Sequence, residues 1–168
     1  MQMLKAFQKM REKNVVHRDI KPQNILVHNN MLKIGDFGLA KAKLMKDSPK
    51  LFDSVGTKLY AAPEVMRNKG EGHTEKCGIF SLGTILYWMC YGQCPMDVCN
   101  QHEQDYEESS IPYPENSDLQ LSKRLISVMK RMLKFNYEER IDWPELFRHK
   151  LFDEEEINKE LVVKPMQL

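Results

Sequence analysis

His17-Arg18-Asp19-Ile20-Lys21-Pro22-Gln23-Asn24 sets a carboxylate, an ammonium and an amide within six positions, just after an imidazole and a guanidinium. Upstream, Met3, Leu4, Phe7 and Met10 follow the i, i+3, i+4, i+7 spacing of one apolar helix face, with Lys5, Lys9 and Lys13 opposite, so an amphipathic helix leads into the stretch. Downstream, two β-rich runs, Asn24 to Val27 and Met31 to Ile34, flank His28-Asn29-Asn30, whose Asn pair suits a tight turn. Asp36-Phe37-Gly38 follows the second run directly. Asp19, Lys21, Asn24 and Asp36 therefore gather at the ends of one small β element. They are the residue types that phosphoryl transfer needs: a carboxylate to orient and deprotonate a hydroxyl, oxygen ligands for Mg²⁺, and a cation for the migrating charge.

The rest of the path is mostly helical. Gly35 to Pro63 has no sustained period of either kind and reads as a long loop, a kind that inside compact domains is usually functional. Ile79 to Cys90 is apolar on nearly every face and predicts a helix buried on all sides. Residues 92–118 form a second irregular surface stretch containing the acidic run Glu103 to Glu108. Leu121, Leu125, Val128, Met129 and Met132 mark another amphipathic helix. Asp142, with Glu145 three residues on and Pro144 in the first turn, predicts a capped short helix through His149. Residues 153–168, acidic and then Pro-containing, are expected to be a frayed or partner-bound tail.

Composition narrows the function classes. The 168 residues are 42% hydrophobic and 29% charged with a formal net charge of +1, the profile of one ordinary soluble domain with enough chain for its own core. Residues 1–76 hold 15 basic and 8 acidic side chains, whereas residues 77–168 hold 10 and 16, so the first half attracts anions. The cations are scattered rather than blocked, which argues against nucleic acid as a partner. The longest apolar stretch is shorter than the roughly 20 residues a membrane helix needs. Cys77, Cys90, Cys94 and Cys99 form no C-x-x-C pair and fit no standard zinc spacing even with His102 nearby. With no signal peptide, they are expected to stay reduced in an intracellular compartment, cytoplasmic or nuclear.

Taken together, H-R-D-I-K-P-Q-N at 17–24, D-F-G at 36–38 and G-T-K-L-Y-A-A-P-E at 56–64 resemble the protein kinase family, in particular the larger, helical carboxyl-terminal lobe of a serine/threonine kinase. Ser81-Leu82-Gly83 and Arg140 continue the pattern in order, so the resemblance covers about residues 3–152. It implies a mainly α fold with a small β-hairpin, and ATP, Mg²⁺ and a protein substrate bearing a Ser or Thr acceptor. By the same resemblance Asp19 orients or accepts the hydroxyl proton, Lys21 contacts the transferred phosphoryl group, and Asn24 and Asp36 hold Mg²⁺. Leu26 would floor the adenine and is equally an ordinary strand-core leucine. His17 and Phe37 would stack, Gly38 completes the D-F-G turn, and the Thr57 hydroxyl would bridge Asp19 and Lys21. Glu64 would pair with Arg140. Arg18 would order a phosphorylated loop, with Ser54 the nearest acceptor and Asp53 already supplying charge.

Two departures accompany the resemblance. No glycine precedes Gly35, so the expectation is a chain in which the smaller lobe, with its Gly-rich loop, strand lysine and partner glutamate, is missing. Gly78 stands where the family ordinarily has an Asp that accepts backbone N–H bonds from the 17–19 turn. Left buried without an acceptor, those N–H groups cost about 1–3 kcal/mol. The sequence thus leaves two readings open beyond a chance likeness in a helical interaction domain: part of an active serine/threonine kinase, or a pseudokinase-like scaffold that docks a regulatory partner on its helical lobe.

Overall fold

The structure is a computed structural model that describes residues 1–42, 58–67, 74–98, 111–114 and 121–152. The predicted tail 153–168, the acidic run 103–108, Ser54 and Thr57 lie outside the described residues.

The chain opens with α1 (Gln2–Glu12), which buries Leu4, Phe7 and Met10 along one face. β1 (Val15–Val16) follows, and the 17–24 stretch ends in a 3₁₀ turn, Pro22–Asn24. β2 (Ile25–His28) and β3 (Met31–Ile34) pair antiparallel from Ile25 opposite Ile34 to His28 opposite Met31. Their connection places both Asn29 (φ 49) and Asn30 (φ 58) in the left-handed region, the requirement of a type I′ turn and the reason an Asn pair suits it. Asn24 itself belongs to the 3₁₀ turn, so the first strand starts one residue later than its sequence predicts. β4 (Lys41–Ala42) returns to pair antiparallel with β1, a contact that brackets the 17–36 region from the outside.

A 3₁₀ turn at Lys58–Tyr60 leads into α2 (Pro63–Arg67), and α3 (Cys77–Tyr91) is the axis of the molecule. Its Ile79 and Ile85 join a core with Leu4, Phe7, Met10, Ile20, Val128, Met132, Trp143 and Leu146. Its Phe80 and Tyr87 join a second core with Val16, Ala62, Val65, Met96, Met129 and Leu133. Burial of side chains this size stabilises by about 1.5–3 kcal/mol each. The sequence reading of burial on all sides fails at the helix end, where Trp88 and Met89 are exposed, just before Gly92 (φ 73) closes the helix with its N–H on the Trp88 carbonyl.

α4 (Pro95–Val98), α5 (Lys123–Met132) and α6 (Trp143–Phe147) complete the α-helices among the described residues, followed by a 3₁₀ turn at Lys150–Phe152. α5 packs on α3 through Gly83, where a Cβ would stand 2.9 Å from Met132 Cβ, so glycine sets the closeness of the two helices. The Ser122 hydroxyl caps α5 by accepting from Leu125 N–H, and the Asp142 carboxylate caps α6 by accepting from Glu145 N–H at 2.8 Å. α6 ends at Phe147 rather than His149. No helix among the described residues is long and apolar enough to cross a membrane.

Candidate active site

The 17–24 stretch is tied by side chains at both ends. His17 is buried, and its Nδ1 accepts the Asp19 N–H at 3.3 Å, which leaves Nε2–H to donate to the Gly35 carbonyl at 2.9 Å. The two bonds together fix one tautomer of the neutral ring. Phe37 stands edge-on to His17 with ring centroids 4.8 Å apart, though it remains half exposed. Arg18 takes a left-handed backbone (φ 70) and its Nε donates to the Leu39 carbonyl at 2.7 Å, bridging this turn to the segment after β3.

Asp19 and Asn24 are both buried. Asn24 Nδ2 donates to the Asp19 backbone carbonyl at 2.8 Å and to its carboxylate Oδ2 at 3.2 Å. Lys21 Nζ meets the same Oδ2 at 2.7 Å, with the lysine about one-fifth and the aspartate less than one-tenth exposed. One carboxylate oxygen is thus held by an amide and an ammonium, which fixes its rotamer beside the open edge of the turn.

Asp36 joins this group through the backbone. Gly35 N–H donates to the Asn24 carbonyl at 2.8 Å, so the residue before Asp36 is locked to the residue that contacts Asp19. Asp36 is left-handed (φ 54), and its Oδ1 accepts Gly38 N–H at 3.2 Å in an Asx-type turn. Asn24 Oδ1 and Asp36 Oδ2 receive no donor among the described residues. An amide oxygen and a carboxylate oxygen form a donor set suited to a hard cation such as Mg²⁺. No cluster of three His, Cys, Asp or Glu side chains appears among the described residues. Leu26, read from sequence also as a core leucine, is 55% exposed on the hairpin next to exposed Val27 and Met31.

Glu64 and Arg140 meet in a two-pronged pair at 2.7 and 2.8 Å, with Arg140 almost fully buried. Arg140 also donates to the carbonyls of Lys134, Phe135 and Lys76, so every guanidinium N–H is used. The sequence reading missed Lys76, whose ammonium reaches the carbonyls of Arg140 (2.7 Å), Tyr137 (3.0 Å) and Glu138 (3.4 Å). Its only local signal is a lysine at the head of an apolar helix. Burial, reinforced by the charge of Glu64, pushes the Cys77 thiol up to about 12, which leaves it protonated and unreactive at neutral pH.

Gly78 borders a cavity of about 20 Å³ shared with Phe7, His17, Arg18, Ile20 and Trp143, room for one water beside the 17–19 turn. The Phe7 and Trp143 rings stack at 4.6 Å against this glycine, and a Cβ on it would stand 3.1 Å from the Phe7 ring. Aromatic surface therefore occupies part of the space beside the position where the resemblance leads one to expect a carboxylate.

The family described as Protein kinase domain matches residues 1–152. Among relatives, serine/threonine-protein kinase ATG1a of Arabidopsis thaliana is 31% identical over 156 residues, covering 88% of this chain and 24% of the relative. Serine/threonine-protein kinase cds1 of Schizosaccharomyces pombe is 35% identical over 158 residues, 90% of this chain and 34% of the relative. Dual specificity protein kinase TTK of Mus musculus is 35% identical over 162 residues, 88% of this chain and 18% of the relative. The chain thus spans about a third or less of the length of these relatives. With the family matched over nine-tenths of its residues, and the Asp19–Lys21–Asn24 and Glu64–Arg140 contacts in place, the chain belongs to the eukaryotic-type protein kinases.

Proposed function

We propose that this chain supplies the acceptor side of an ATP- and Mg²⁺-dependent transfer of the γ-phosphoryl group to a Ser or Thr hydroxyl of a protein substrate. The observation that carries the reading is the Asp19 carboxylate, held by Lys21 at 2.7 Å and Asn24 at 3.2 Å at the edge of the 17–24 turn. Asp19 orients the acceptor hydroxyl and takes its proton as the new P–O bond forms. Lys21 is close enough to Asp19 to offer its charge to both the carboxylate and the incoming phosphoryl oxygens. Its presence at that place supports a Ser/Thr rather than a Tyr acceptor, as the relatives named serine/threonine kinases do. Asn24 and Asp36 would hold Mg²⁺, which when bound would neutralise charge on the phosphate oxygens. Leu26 and the exposed hairpin face would lie under the nucleotide base. An intracellular, chiefly cytoplasmic setting completes the reading, since the reaction consumes ATP. In this reading the described residues belong to the larger lobe, and the clamp on the α- and β-phosphates would come from a smaller one.

A second reading, a partner-binding scaffold without turnover, is favoured by Gly78 and by the exposed Leu26, Val27, Met31 and Phe37. Thermal melting with and without ATP and Mg²⁺ separates the two. The kinase reading expects a clear Mg²⁺-dependent upward shift that Asp36→Ala abolishes. A melt indifferent to ATP and Mg²⁺ leaves the scaffold.

A further inference from the structure

The β2–β3 hairpin carries more of the candidate site than its own size would hold in place. It pairs with no third strand among the described residues, and a lone two-stranded ribbon is marginal in water. At its base Ile25 and Ile34 pack against the first core. Beyond them Leu26, Val27, Met31 and the Asn29-Asn30 turn are exposed, so burial contributes little at the tip. Leu26 nevertheless lies on this ribbon, and Asp36 follows its second strand after one residue, Gly35.

One side chain reaches that tip. Gln2, the first residue of α1, donates from Nε2 to the Asn30 carbonyl at 3.0 Å, and its Oε1 accepts the Leu32 N–H at 2.5 Å, across 28 and 30 positions of chain. The two backbone groups flank Met31, one an acceptor and the other a donor. A carboxamide presents a donor and an acceptor on neighbouring atoms of one plane, as a peptide group does, so Gln2 meets the ribbon in the way the backbone of a third strand would. Among the described residues no other side chain hydrogen-bonds the backbone of residues 25–34. At the opposite end Gly35 N–H is closed on the Asn24 carbonyl at 2.8 Å. The ribbon is therefore held at two points, with Asp36 immediately past the second.

We propose that Gln2 is a positioning residue for the nucleotide and its metal ion: its carboxamide sets the tilt of the β2–β3 hairpin on α1 and, through the Gly35–Asn24 bond, the places of Leu26 and Asp36. The proposal rests on the phosphoryl-transfer reading for what those two residues meet. Gln2 touches neither substrate nor metal in it. Its action is to keep a mostly exposed ribbon from rocking, so that the surface under the base and the carboxylate beside the phosphates stay in one arrangement rather than being ordered at each binding event.

The test compares the full chain with Gln2→Met, which keeps length and helix propensity but has no donor, and with Gln8→Met, the same exchange at another exposed position of α1. In amide hydrogen exchange followed by NMR, Gln2→Met should speed Leu32 N–H and also Gly35 N–H by about five-fold or more, and Gln8→Met should leave both unchanged. In titration with ATP and Mg²⁺, Gln2→Met should bind about two- to five-fold more weakly, as the loss of modest hydrogen bonds implies. Gln2→Glu, which keeps the acceptor for Leu32 and gives α1 a first-turn carboxylate suited to its dipole, should fall between Gln2→Met and the unaltered chain. Exchange that quickens at Leu32 but not at Gly35, or Gln2→Met binding ATP and Mg²⁺ as tightly as the unaltered chain, overturns the proposal and leaves the phosphoryl-transfer reading standing. Full affinity in Gln2→Glu also overturns it, because the stability of α1 then accounts for the effect. An unaltered chain indifferent to ATP and Mg²⁺ overturns both.

Discussion

Two ion pairs of equal length divide the labour of this chain. Arg140–Glu64 and Lys21–Asp19 both close to 2.7 Å, but the first has 0% and 9% of its side chains exposed and the second 22% and 8%. Around Arg140 every donor is spent: Glu64 takes two, and carbonyls of Lys134, Phe135 and Lys76 take the rest, while the Phe80 ring lies 5.1 Å below the guanidinium. Around Asp19 the contacts fix one carboxylate oxygen, while Asn24 Oδ1 and Asp36 Oδ2 close by in sequence and backbone receive no donor among the described residues. A pair whose every hydrogen bond is met by its own chain holds shape. A pair at an edge, flanked by oxygens with capacity left over, is built to meet something else.

If that division is right, the largest loss of stability comes from the saturated pair. Arg140→Met should destabilise by about 3–5 kcal/mol in urea unfolding, because Glu64 and three carbonyls lose their partner in a buried setting. A loss below about 1 kcal/mol, the worth of an exposed pair, would erase the distinction. Next in size is Gly83→Ala, whose methyl meets Met132 Cβ at 2.9 Å and Leu133 at 3.2 Å. Forcing α3 and α5 apart should cost about 1–3 kcal/mol by the same assay, more than the helix-propensity gain of up to about 1 kcal/mol returns. Smallest is Asp142→Ala, which removes one cap bond on Glu145 N–H and should lower stability by about 0.5–2 kcal/mol without touching phosphoryl transfer. A change in transfer rate from Asp142→Ala would show that the helical scaffold and the 17–36 region are coupled more tightly than the two pairs imply.

Much of the architecture is legible in local pattern. The Asn29-Asn30 turn, the α1 face of Leu4, Phe7 and Met10, and the Asp142 cap are each fixed by residues within a few positions of one another. Asp19, Lys21 and Asn24 likewise fall within six consecutive positions, so their grouping is legible from spacing alone. What the sequence hides is long-range. β1 and β4 are two residues each and pair across 25 and 27 positions, too short for any periodicity to announce. Lys76 finds carbonyls 61 to 64 residues away. Nor does an apolar run say which of its turns emerges: Ile79 is buried and Met89 is two-thirds exposed on the same helix. Gly78 reads in sequence only as a lost carboxylate, whereas in space it is also the contact point of the Phe7 and Trp143 rings.

The central claim is that Asp19 acts on the acceptor hydroxyl. Single-turnover transfer from ATP with Mg²⁺ to a serine peptide, compared between the protein and its Asp19→Asn variant, tests it most directly. The account predicts a rate lower by about 10²–10⁴ in the variant, with nucleotide affinity retained and unfolding little changed. An unaltered rate, or one that falls only in step with lost stability, would contradict it.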